Sequence, residues 1–144
     1  MFASVNINIM KLLTKFFGGL LIILICAGCV KSAGLGGRAK IKGKLTGSFY
    51  YDDQLLMANG SGILNDEDVY IVYGTDDTYF DDDIKTSYDG SFEFNYLRPG
   101  TYTVFFYENC FPCAGLQSPK LMTVEITEKD AVIDLGTINL KKKI

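Results

Sequence analysis

Apolar and polar positions alternate through most of the chain from Ala39 onward. In AKIKGKLT (39–46), Ile41 stands between Lys40 and Lys42, the period-2 signature of a half-buried strand. SFEFNY (91–96) sets Phe92, Phe94 and Tyr96 on one face, with Ser91, Glu93 and Asn95 on the other. TYTVFFYE (101–108) places Phe105 and Tyr107 opposite Val104 and Phe106. VYIVYG (69–74) is β-branched and aromatic on both faces, as a strand inside a sheet is. IKTS (84–87), KLMTVEIT (120–127) and VIDLGTINL (132–140) complete a predicted set of seven strands. TDDTYFDDD (75–83) and LRPG (97–100) punctuate them as turns. Tyr88-Asp89-Gly90 reads as a hairpin turn, because Asp-Gly readily supplies positive φ angles. Seven short strands at this spacing, with no convincing helical period after residue 38, predict an all-β sandwich.

The first 30 residues follow a different pattern. Lys11 and Lys15 precede the unbroken apolar run FFGGLLIILICAGCV (16–30). That run is shorter than the roughly 18–20 residues a bilayer span requires. A basic start, a short apolar stretch and a small-residue end are the three parts of a secretory signal. The end, Cys26-Ala27-Gly28-Cys29, resembles the lipobox of bacterial lipoproteins, with Cys26 where an aliphatic residue is usual. The resemblance implies a signal peptide over 1–28, with Met10 read as the true start, and lipid on Cys29. The segment VKSAGLGGRAK is rich in Gly and Ala, and residues 29–38 are expected to be a flexible tether ahead of a sandwich over 39–141. No acidic residue follows Cys29 in that segment, which points to the periplasm-facing side of a bacterial cell envelope.

This reading changes the cysteine arithmetic. The two C-x-x-C pairs lie about 80 residues apart, too far for a zinc ribbon, and the first is consumed by the signal and the lipid. Cys110 and Cys113 remain, in an oxidising compartment where they are expected to form a disulfide. A redox-active C-x-P-C gains its thiolate from a helix N-terminus directly after the motif. Here AGLQSPK follows, with Gly115 and Pro119 too close together for a useful helix, so a staple is expected.

The stretch Thr86, Asp89, Gly90, Phe92, Phe94, Leu97, Pro99, Gly100, Tyr102 and Val104 spells T-x-x-D-G-x-F-x-F-x-x-L-x-P-G-x-Y-x-V. It resembles the signature of carboxypeptidase regulatory-like domains, relatives of collagen-adhesin B-type repeats. The resemblance implies a seven-stranded, prealbumin-like (transthyretin-like) antiparallel β-sandwich over roughly residues 38–140. The layout is also similar to small lipoproteins of the Bacteroidetes type. Such domains serve as stabilisers, stalks, adhesin modules and carbohydrate-binding platforms, so the resemblance specifies no reaction. Adhesin repeats often join a first-strand Lys to a last-strand Asn or Asp through an isopeptide promoted by a Glu. Lys40, Lys42 or Lys44 and Asn139 stand in for two of those groups, but Phe106 occupies the Glu position and Glu108 lies two residues further on. Three solvated lysines are the expectation.

Composition narrows the chemistry. The chain has no His, which excludes Ser–His–Asp and Cys–His catalysis and imidazole zinc sites. A net charge of −3 without a basic stripe speaks against nucleic acid as a partner. Eleven acidic residues and one base lie between Asp52 and Asp89, and Asp76, Asp77 and Asp81 to Asp83 flank one turn. Their spacing does not match an EF-hand, and a solvated acidic hairpin is expected in place of a calcium site. No cofactor or metal is implied.

Aromatics supply the remaining lead. Tyr50, Tyr51, Tyr79, Phe80, Phe105 and Tyr107 are candidates for a ligand or partner surface. The long connection 47–68, with Leu55, Leu56 and Met57, is expected to cover that surface. Three function classes follow. The first is a non-catalytic, lipid-anchored envelope module docking to another envelope component. The second is a carbohydrate-binding module using exposed aromatics, and the third a thiol-disulfide oxidoreductase through Cys110 and Cys113.

Overall fold

The computed structural model describes residues 32–52, 54–56, 58–75 and 79–144. The expected signal, Met10, Cys29 and the acidic pair Asp76 and Asp77 lie outside the described residues. Eight strands form among those described: β1 (Leu35–Tyr50), β2 (Ala58–Ile63), β3 (Asp68–Val72), β4 (Asp82–Lys85), β5 (Ser91–Leu97), β6 (Gly100–Asn109), β7 (Gln117–Ile126) and β8 (Val132–Lys143).

They make two four-stranded sheets. In the first, β1 carries β5 along its first half and β2 along its second half, with β8 on its other edge. The second has the order β4-β3-β6-β7 and is antiparallel throughout. The inward side chains of both sheets meet in one core. Ile41, Leu45, Phe92, Phe94, Ile138 and Leu140 face Val69, Ile71, Tyr102, Val104, Phe106 and Ile126. Burial of these apolar side chains is the main stabilising term of a sandwich.

The expected sandwich is present, with four differences. An eighth strand, β2, arises inside the connection expected to be a loop, where it pairs with the C-terminal half of β1. The β1–β8 pair is parallel, so the sandwich is not wholly antiparallel. The Tyr88-Asp89-Gly90 turn does not join paired strands, because β4 belongs to the second sheet and β5 to the first. It is a corner between sheets, closed by Gly90 N donating to Ser87 O at 2.9 Å and Ser87 N to Ser91 O at 2.8 Å.

The fourth difference concerns the tether. β1 begins at Leu35, four residues before the expected start of the sandwich. The glycines that suggested flexibility serve close approach instead: a Cβ on Gly37 would lie 1.8 Å from the Leu97 carbonyl oxygen. In β8 the inward-facing positions pass from odd (Ile133 and Leu135, half-buried) to even (Ile138 and Leu140, buried). Two residues, Leu135 and Gly136, bulge opposite Gly43, and Gly136 takes φ +69, so the strand is rephased without losing its pairing.

Candidate functional site

The outer face of the second sheet carries the candidate site. Alternation sends Val69 and Ile71 inward and Tyr70 and Val72 outward, and sends Val104 and Phe106 inward and Thr103, Phe105 and Tyr107 outward. Register then brings the outward set together. Tyr70 stands opposite Phe105, Phe105 opposite Leu121, Tyr107 opposite Pro119, and Thr103 opposite both Val72 and Thr123.

The rings pack on one another. Tyr70 and Phe105 are stacked, with centroids 4.9 Å apart and planes 15° apart. Phe80 tilts onto Tyr70 at 4.8 Å, and Tyr107 meets Tyr70 and Phe105 edge-on at 5.7 Å each. Offset-stacked and edge-to-face pairs like these are worth about 0.5–1.5 kcal/mol beyond the area they bury. The cluster still leaves much surface in water: Phe80 is 47% exposed, Leu121 62% and Tyr79 82%.

The surface is concave. A groove of about 580 Å³ runs over Val72, Thr103, Phe105 and Thr123, walled by Tyr79 and Phe80 on one side and by Tyr107, Pro119 and Leu121 on the other. Among the described residues no charged side chain lines it. Its polar groups are hydroxyls, and the Thr103 and Thr123 Oγ1 atoms sit 3.4 Å apart. Desolvation, and then the carboxylates of Asp68 and Asp83, push the Tyr70 phenol above its ordinary value of 10.0. Tyr70 is therefore a neutral hydrogen-bonding group throughout the physiological range.

A smaller polar pocket of about 160 Å³ adjoins the cluster and is lined by Glu67, Asp68, Tyr70, Tyr107, Gln117 and Lys142. Lys142 Nζ donates to Glu67 and to the Tyr107 carbonyl, tying the end of β8 to this rim. Lys85 pairs with Asp68 at 2.9 Å on the other side.

Four of the six predicted surface aromatics, Tyr79, Phe80, Phe105 and Tyr107, line this groove. Tyr50 and Tyr51 do not: Tyr50 ends β1 in the other sheet, and Tyr51 follows it at 63% exposure. None of the described residues of the 47–68 connection lines the groove, because β2 was drawn to the first sheet. Tyr70, at the centre of the ring cluster, was missed. Its signal was available, since it stands in the opposite phase to Val69 and Ile71 in a strand read as uniformly buried.

Cys110 and Cys113 form a disulfide at the tip of the β6–β7 hairpin. A three-residue 3-10 turn, Ala114–Leu116, follows it. Asp81 accepts a hydrogen bond from Tyr73 N, and Asp82 from Asp83 N, so these carboxylates serve the turn itself. Among the described residues no cluster of three potential metal ligands forms. Lys40, Lys42 and Lys44 pair with Glu93, Asp134 and Asp89, whereas Asn139 bonds Thr46 and Ser48, so the isopeptide partners are not brought together.

No protein-family profile matches the chain, and no curated protein matches it either. A solved structure from Pseudomonas aeruginosa, described as that of a "putative carbohydrate binding protein", aligns over 76% of this chain and 92% of its own. The two are 13% identical, with a TM-score of 0.44.

Proposed function

We propose that this chain is a non-catalytic binding module of the bacterial cell envelope, held by lipid on Cys29 on the periplasm-facing side, whose second sheet docks a glycan. The observation that carries the glycan reading is the uncharged groove floored by Val72, Phe105, Thr103 and Thr123, beside the stacked pair of Tyr70 and Phe105. Sugars present apolar C–H faces and a dense array of hydroxyls. Aromatic planes match the first and threonine and tyrosine hydroxyls the second, while an uncharged lining imposes no desolvation of fixed charge. Exposed aromatic clusters of this kind mark binding surfaces in soluble domains. The lipobox, and the motif shared with carboxypeptidase regulatory-like domains, support an envelope module of this architecture.

The experiment is affinity electrophoresis of the mature chain through gels containing soluble polysaccharides, together with pull-down on insoluble peptidoglycan. Retardation by at least one glycan, lost in Phe105→Ala and Tyr107→Ala, is expected. Absence of retardation by every glycan, with capture of an envelope protein through the same face, would transfer the site to a protein partner. The anchor is tested separately. Cys29→Ser is expected to abolish labelling by a fatty-acid precursor and to release the chain from membranes or stall its processing.

A further inference from the structure

The end of the sandwich at which the chain enters is built as firmly as the core. The Tyr102 hydroxyl, on a fully buried side chain, accepts from Gly34 N at 2.9 Å and donates to Arg98 O at 2.7 Å. Arg98 N donates in turn to Gly34 O at 2.9 Å. The chain is therefore fixed from Gly34 onward. Five residue steps separate Cys29 from Gly34, and an extended chain of that length reaches at most about 18 Å. A lipid on Cys29 thus holds this end of the domain, and no other, against the membrane surface.

The same end carries an open pocket of about 250 Å³ lined by Gly36, Gly37, Arg38, Arg98, Pro99 and Lys129. Arg38 is engaged by Asp130 in a two-pronged pair at 2.5 and 2.8 Å. Among the described residues, no ion pair involves Arg98 or Lys129. Arg98 lies over Gly36, its Nη2 2.9 Å from where a Cβ would stand, so the absence of a side chain there makes room for the guanidinium. An arginine fork and a lysine on a glycine-backed floor suit a phosphate group.

We propose that this pocket binds the phosphate of an anionic lipid in the membrane that carries the anchor, so that the sandwich stands on its entry end. The proposal rests on the lipid-anchor reading of Cys29. Because the linking segment is so short, the phosphate plane of that membrane lies within reach of Arg98 and Lys129. The β3–β4 turn leaves from the same end on the other sheet and ends on Asp81, with Asp82 opening β4 beside it. An anionic surface attracts the Arg98–Lys129 corner and repels that turn, which tilts the domain.

The test uses lipidated protein purified from membranes and placed in nanodiscs of phosphatidylcholine, alone or mixed with phosphatidylglycerol. Intact mass of the preparation first shows whether Cys29 is acylated. In the anionic discs, amides of Gly36, Gly37, Arg38, Arg98 and Gly100 should exchange several-fold more slowly than in neutral discs, as expected where each cation gains about fivefold in partition. Arg98→Gln with Lys129→Gln should remove the difference, and Arg98→Lys with Lys129→Arg should keep most of it. The side chains replaced are outside the core, and near-ultraviolet circular dichroism verifies that both variants fold. Acylated protein with equal exchange in the two discs would overturn the proposal while leaving the anchor intact. Equal slowing by millimolar inorganic phosphate in neutral discs would overturn the lipid assignment in favour of a plain anion site. Protein without acyl chains would overturn the anchor and this proposal together.

Discussion

The two sheets obey the same alternation and share one core, yet their outer faces differ in kind. On the first, β1 presents Lys40, Lys42 and Lys44, which pair with Glu93 at 3.2 Å, Asp134 at 3.3 Å and Asp89 at 3.9 Å. Each charge is solvated and has a neighbour of opposite sign. On the second, the equivalent outward positions are Tyr70, Phe105, Tyr107 and Leu121. A solvated ion-pair ladder makes no demand on a partner, whereas exposed rings retain apolar surface that water does not satisfy. The difference singles out the outer face of the second sheet as the candidate site without reference to any ligand.

The largest effect separates inside from outside on a single strand. Phe106→Ala, one residue from the groove but fully buried, should lower stability by about 3–5 kcal/mol. Phe105→Ala removes ring contacts from the open side, and should cost only about 1 kcal/mol while abolishing glycan retention. Denaturant melts of the two variants, run beside the retention assay, would break the comparison if the costs came out equal. A second test asks whether the groove depends on the staple at the hairpin tip. Reduction of Cys110–Cys113, which closes a very short loop, should lower stability by about 1–2 kcal/mol and leave glycan retention unchanged.

The smallest effects belong to the first sheet. Lys42→Ala should leave the melting temperature and glycan retention nearly unchanged, because its pair with Asp134 is exposed. Acid should register there in a defined direction. Hydrogen bonds from Ser91 hold Asp89 below its ordinary value of 3.8, and the Gly136 amide, then Lys42, do the same for Asp134. Both depressed carboxyls contribute stability that is complete above that value and is lost as pH falls through their lower folded values. Urea midpoints followed from pH 7 downward should therefore show no loss from these two groups until the pH falls below about 4.

Much of this architecture was legible because local alternation and global packing agree in strands such as 100–109, and in 91–97 as far as Phe94; there Tyr96 takes φ +62 and turns out to solvent, and Leu97 fills the core in its place. Where they disagree, the sequence misled for physical reasons. ANGSGI in β2 has two glycines and little β propensity, and forms a strand only because the second half of β1 offers it an edge. Asp89-Gly90 dictates a reversal but not which strand receives the chain, so a corner between sheets reads like a hairpin. Gly36 and Gly37 look like tether residues because close backbone approach and flexibility call for the same amino acid. In the groove, Phe105 and Tyr107 could be assigned outward from their own strand. The clustering of Tyr70 and Leu121 with them depends on register across three strands.

The measurement that bears most directly on the central claim is a titration of the mature chain with a soluble glycan, followed through the NMR signals of its aromatic rings. Solubilised peptidoglycan fragments and a soluble β-glucan are the probes. The rings of Tyr70, Phe80, Phe105 and Tyr107 should shift together and saturably, while the buried rings of Phe92 and Tyr102 stay in place. Shifts confined to the lysine face or to the disulfide tip, or no shift with either glycan, would contradict it.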